Sequence, residues 1–239
     1  MTAVESWTQA VRRHVGLGRV LPLGGPRDGA WITERAAEAV LRQAAREVRG
    51  VRLGVLRLGP TDAEGGAEPV VPPPPSALPP GPLRVTADFA AGPAAPLPTA
   101  ASRLRAVLAA TATDRLGLTV TEVDLRVTSL LDEEQDRAPQ DVRPPERPPA
   151  GTATGDDETR VAAAALAVPG VAALTGTLGS PVHLQEHRNP AALPRRHARV
   201  ELAVHADHRA VDVARRVRAV VSEALPDHPT VAVLVTSAT

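Results

Sequence analysis

A chain of 239 residues with 27 acidic and 27 basic side chains can form one large domain or two small ones, and it has no net charge to draw nucleic acid or anionic lipid. Cysteine is absent, which excludes disulfides and thiolate metal sites. With no Tyr, one Phe and two Trp, the core has to be aliphatic, and the basic residues are all Arg, a bias that fits a high-G+C genome better than phosphate binding.

In chain order, Met1 to Val15 carries Glu5, Arg12 and Arg13 and no apolar h-region, so it does not read as a signal peptide, and the expected location is cytoplasmic. Val4, Trp7 and Val11 form a stripe at helical spacing beside Arg12 and Arg13. The default for this stripe is docking on its own domain; the functional alternative is an interfacial helix for a partner or a membrane. Thr33 suits an N-cap for a helix over 34–49, with Ala37, Val40, Leu41, Ala44 and Val48 on one face and Gly50 as terminator. Residues 51–58 suit a strand. Residues 60–82, with Pro72 to Pro75, read as an extended or disordered insert. Leu83, Val85, Ala87 and Phe89 alternate with polar residues in a half-buried strand. A helix near 99–115 follows, broken by Gly117, and then a strand over Val120–Val127. The order is α-β-β-α-β.

After the acidic, Pro-rich stretch 132–155, read as a linker, the order recurs. Val168-Pro-Gly-Val171 matches Val48-Arg-Gly-Val51, Ala198–Val204 matches Leu83–Phe89, Arg216–Val221 matches Arg103–Leu108, and Val231, Val233 and Val235 match Val123, Leu125 and Val127. Four matches in one order indicate an internal repeat. The expected fold is therefore α+β. It comprises a module over 1–131 with a Pro-rich insert at 60–82, a linker at 132–155, and a diverged copy over 156–239 with an irregular insert at 180–197. Each copy would be a three-stranded sheet with two helices on one face, strands one and two antiparallel. Sheets this small are marginal alone, so packing of the copies side by side is expected.

The helix from Thr33, the Gly50-Val51 turn, the strand Leu83–Phe89, the lead-in Gly92-Pro-Ala-Ala-Pro-Leu-Pro98 and the ending Gly117-Leu-Thr-Val-Thr-Glu-Val-Asp-Leu-Arg-Val127 together resemble the alkaline shock protein family, also called the envelope stress response family. The resemblance implies a non-enzymatic protein that works near the inner face of the membrane through a protein partner, such as a small membrane-anchored protein. The second copy departs from the pattern at Ala206-Asp-His-Arg209 and Leu225-Pro-Asp-His-Pro229.

Other chemistry is thinly signalled. His183 with His187, and His205 with His208, have ligand-like spacing, but prolines around the first pair argue for loop histidines and no metal is expected. No nucleophile motif surrounds Ser102, Ser180 or Ser222, and no cofactor loop is present. Gly176-Thr-Leu-Gly179 superficially matches the clamp of KH RNA-binding modules, which makes a KH-like RNA-binding protein the second reading and an enzyme the third; DNA is not expected as a partner. Arg103 and Arg105, and Arg215, Arg216 and Arg218 in the second copy, stud the second helices as a partner-binding face or a solvated one. Self-association remains open.

Overall fold

The structure, a computed structural model, describes residues 18–62, 65–93, 95–132, 155–187 and 195–238. The chain is α+β, with four α-helices and two sheets among the described residues. The first sheet has three strands in the order β3 (Val51–Pro60), β4 (Leu83–Ala91), β5 (Val120–Leu130). The pair β3–β4 is antiparallel, and β4–β5 is parallel through helix α2 (Leu97–Ala110). The helix runs on for one wider π-turn, Thr111–Leu116, so it reaches slightly beyond the expected end before Gly117 stops it.

The second sheet is larger than the sequence suggests. Its strands β8 (Arg195–Val204) and β9 (Thr230–Ala238) are parallel through helix α4 (Ala210–Glu223), and helix α3 (Asp156–Leu166) precedes them. Strands β6 (Val171–Leu174) and β7 (Val182–His187) lie end to end along one edge of β8, both antiparallel to it. The expected irregular insert at 180–197 is thus partly strand, because Val182 and Leu184 alternate with polar residues and complete the edge. The other edge takes a hairpin from the N-terminal half: β1 (Val20–Leu23) pairs antiparallel with β2 (Ala30–Thr33), and β2 pairs parallel with β9. This sheet has six strands rather than three. The hairpin was not anticipated because its strands are only four residues each, separated by a Gly- and Pro-rich turn.

Thr33 ends β2 and caps α1 (Glu34–Ala45), its hydroxyl accepting the Ala36 N–H at 3.3 Å. The helix is one turn shorter than its apolar stripe, and Val48 is buried in the turn that follows. α1 packs on β3 of one sheet and β9 of the other, so one aliphatic core contains residues of both halves. Phe89 and a large set of Leu and Val fill it. No helix among the described residues is long and apolar enough to cross a membrane.

The Pro-rich insert is not a free linker. Val71 is buried, Ala77 bridges to Val20, and the Leu78 N–H donates to the Val20 carbonyl at 2.8 Å. The insert forms a strap over the outer face of the hairpin, where Val20, Trp31, Ala232 and Leu234 make a second apolar cluster. Proline fixes φ and removes donors, which suits a strap that packs by side chains. The acidic linker expected at 132–155 falls almost wholly outside the described residues.

Gly117 joins the halves at close range. It sits at φ +88°, its carbonyl accepts the Gly24 N–H at 2.9 Å, and a Cβ here would overlap the side chain of Val211 on α4. Gly117→Ala is expected to lose about 3 kcal/mol through backbone strain and overpacking. Urea denaturation at neutral pH checks this; an unchanged midpoint would mean the α2–α4 contact is loose.

Candidate interaction surface

β5, at 11 residues, is the longest strand among the described residues, and not one of its residues is fully buried. Among the described residues it has a neighbour on one side only, β4. Its face toward the helices carries Val123 and Leu125, which pack partly on the core, and Val127, which is exposed. Its outer face carries Glu122, Asp124 and Arg126, paired across β4. Arg84 donates to Glu122 at 2.7 Å and lies 3.3 Å from Asp124, and Arg126 holds Asp88 with two bonds at 2.8 and 2.9 Å. That bidentate pair holds the Asp88 carboxyl below its ordinary pKa. Leu130 stands exposed at the strand's end.

The ladder sets which backbone groups face the open side. The Leu83 N–H bonds the Thr119 carbonyl, and the register slips by one residue immediately after, at Thr121. From there Val123, Leu125 and Val127 direct their N–H and C=O groups away from β4, until a second slip at Thr128. Arg105 of α2 agrees, its Nε donating to the Val123 carbonyl at 3.2 Å. Arg103 is also exposed but stands two residues away, about 200° around the helix, so it and Arg105 do not form one patch.

The remaining expected positions are accounted for as follows. Trp7, Val11, Arg12 and Arg13 lie outside the described residues. On α4, Arg215 grips Asp28 in the hairpin turn with bonds of 2.8 and 3.0 Å, and this lowers the Asp28 pKa. Arg218 donates to the carbonyls of Val231 and Arg27, both at 2.8 Å. Two of the three arginines read as a possible partner face therefore lock the hairpin onto α4. The Ser180 and Ser222 hydroxyls donate to the backbone carbonyls of Val182 and Pro229. His183 is on β7, and His205 and His208 flank the turn into α4, where His208 bonds Asp207 at 2.8 Å. Among the described residues no three His, Asp or Glu side chains gather as a metal site would require.

A buried carboxylate was missed in the sequence. Glu201, in the middle of β8, has no solvent exposure. Its backbone holds both ends of the loop between β6 and β7: its carbonyl accepts the Thr175 N–H at 3.0 Å, and its N–H donates to the Pro181 carbonyl at 2.8 Å. Its Oε2 accepts the Leu178 N–H at 3.1 Å, mid-loop. The Gly176–Gly179 segment is therefore a bulge between two strands, with an amide already held by this chain's own carboxylate. Arg199 Nε stands 3.7 Å from Glu201 Oε1, too far for a hydrogen bond, and neither atom has another partner among the described residues. Thr177 Oγ1 and, two strands away in the same row, Trp31 Nε1 are also buried without one. Burial pushes the Glu201 pKa up to about 7, against the pull of the Leu178 amide and Arg199. The signal was present in β9: Val231-Ala-Val-Leu-Val235 is apolar on both faces, so the face it shares with Glu201 had to be covered.

No protein-family model matches this chain, and neither a curated protein nor a solved structure does.

Glu201 gives a signed pH dependence. Its folded pKa lies above the ordinary value of 4.5, so the folded state keeps a proton that the unfolded state releases between about pH 4.5 and 7. Stability from this group is highest below that window and falls as the pH rises through it, by about 3 kcal/mol in all. Glu201→Gln should flatten the decline and be the more stable protein at pH 8. Paired urea titrations at pH 4.5 and 8 measure the difference; parallel behaviour of the two proteins would show a solvated carboxyl.

Proposed function

We propose that this chain is a non-enzymatic interaction protein of the envelope stress response type, acting through a protein partner near the inner face of the membrane. The observation that carries the reading is the β5 edge. An 11-residue strand whose outward backbone groups meet no neighbouring strand among the described residues, with an apolar row ending in exposed Val127 and Leu130 and a charged outer face, is suited to receiving another chain by strand addition. The main chain would supply affinity, and the alternating side chains would supply selectivity. The resemblance of the Thr33–Val127 region to the alkaline shock pattern supports the envelope context. The chain's neutral overall charge, with each Arg of the β4–β5 face held by a carboxylate, favours a protein partner over RNA.

The test is recovery of the tagged protein from fractionated native cells, with mass spectrometry of what accompanies it. A membrane-associated protein should be recovered, and retention should fall roughly tenfold in Leu130→Glu and Val127→Glu at unchanged melting temperature, since each places a charge in the contact row. A soluble protein that brings down RNA through a rise in salt would replace this reading with the KH-like one.

A further inference from the structure

We infer that the open edge of β5 pairs with β5 of a second copy of this chain, antiparallel about a two-fold axis at Leu125, joining the two three-stranded sheets into one. The inference rests on the reading of β5 as an interaction edge and names its occupant.

The first support is the molecule's own second sheet. β9 stands to β8 as β5 stands to β4: parallel, at the end of the α-helical crossover. On β9 the corresponding edge is occupied by β2, and β9 is buried along most of its length. The same arrangement in the first sheet has no such strand among the described residues. An edge of this geometry therefore accepts a strand, and the hairpin that fills one edge is spent there.

The second support is the sequence of β5, which is complementary to itself. Residues on a common face can oppose one another only if their numbers share parity, so the choice is among a few registers. With Leu125 opposite Leu125, each Asp124 meets the other chain's Arg126, and each Val123 meets the other chain's Val127. Two opposite-charge pairs form and no like charges meet. A shift that centres on Asp124 places two carboxylates face to face, although it pairs each Glu122 with the other chain's Arg126, and one that centres on Arg126 opposes two guanidinium groups. Like charges directly opposite are destabilising, and of these three the Leu125 register alone makes opposite-charge pairs without a like-charge one. The chosen register also extends pairs already present. Asp88, Arg126 and the second chain's Asp124 fall in one row across the joined sheet, so the guanidinium lies between two carboxylates.

The third support is hydrogen-bond phase. Val123, Leu125 and Val127 are the residues that turn their backbone groups outward, and this register sets those groups opposite one another on both strands. The Arg105 bond to the Val123 carbonyl need not break, because a carbonyl has two lone pairs. The register slips at Thr121 and Thr128 bound the regular segment and limit it to one short, self-matching stretch.

Sedimentation of the full chain tests this with complementary variants. The wild type should be a dimer. Asp124→Arg and Arg126→Asp should each be monomeric, since each sets like charges opposite twice, and an equimolar mixture of the two should restore a dimer. Circular dichroism and melting confirm that each folds. Should either variant fail to fold, Leu125→Cys replaces it. The chain has no other thiol, and in this register the two would face each other across the axis and oxidise to an inter-chain disulfide, while Glu122→Cys would not. A wild type that stays monomeric, single variants that still dimerise, or a mixture that does not associate would each overturn the inference. A monomeric wild type includes the case in which residues of the same chain outside the described ranges cover β5. If the wild type is monomeric yet still recovers a membrane-associated protein through Val127 and Leu130, self-pairing is wrong and the interaction reading stands; if it recovers none, both fall.

Discussion

The parallel pairing of β2 with β9 is the contact on which the rest of the architecture depends. It places residues 30–32 beside 233–235, so the second sheet cannot be completed until the two ends of the described chain meet. Closing so long a loop costs entropy before any contact returns it. Several interactions hold it shut. Arg215 and Arg218 clamp the hairpin turn, the strap carrying Val71 and Ala77 covers the hairpin's outer face, and the Gly117 carbonyl holds Gly24 from below. Because Thr33 is both the last residue of β2 and the cap of α1, the hairpin also fixes where α1 begins. The helix is thereby positioned between the sheets, and the two halves share one core.

Covering the outer face of the second sheet has a consequence for charge. Trp31 and Leu234 need that cover, since exposed they would form an apolar patch. Glu201 lies in the same row and is buried with them. The protein keeps its backbone and carboxylate as the organising point of the β6–β7 loop, yet one oxygen has no hydrogen bond among the described residues. Replacing both members of such a pair with apolar residues is often neutral or stabilising elsewhere. Its retention here is consistent with fixing the loop that divides β6 from β7, where β3 in the first sheet continues as one strand from Val51 to Pro60 with only a bulge between Leu53 and Leu56.

Much of this was legible in the residues. The α-β-β-α-β order appears in the first half, and in the second with its first strand divided into β6 and β7; the expected antiparallel pairing of strands one and two is found in both, because period-two and helical stripes of Val, Leu and Ala are unmixed in this composition. The hairpin was not legible: four-residue strands such as Val20–Leu23 carry too few alternations, and their partner lies in the far half of the chain. The strap reads in sequence as an extended or disordered insert because proline-rich sequence signals only the lack of regular structure and is silent on what its few apolar residues touch. Burial of Glu201 is not legible locally, since Arg199-Val-Glu-Leu202 alternates like any half-exposed strand. Arg215 and Arg218 carried no sign that their carbonyl and carboxylate partners sit in a turn nearly two hundred residues earlier. Local pattern reports which face of a strand is apolar; what covers the other face is decided by distant chain.

The contrast between β9 and β5 follows from that asymmetry. Both close an α-helical crossover beside a parallel neighbour, and both carry apolar residues at every second position. β9 is apolar on its second face as well, which is tolerable only because the hairpin and strap enclose it. β5 instead places Glu122, Asp124 and Arg126 on its second face, and these keep the strand solvated while its edge is open. Charges on an edge strand commonly serve to prevent pairing. Here their order around Leu125 does the opposite in one register, while the registers centred on Asp124 and Arg126 each set like charges opposite. A sequence that only discouraged association would gain as much from carboxylates at both 124 and 126; the alternation of sign at these two positions is what distinguishes selective pairing from avoidance.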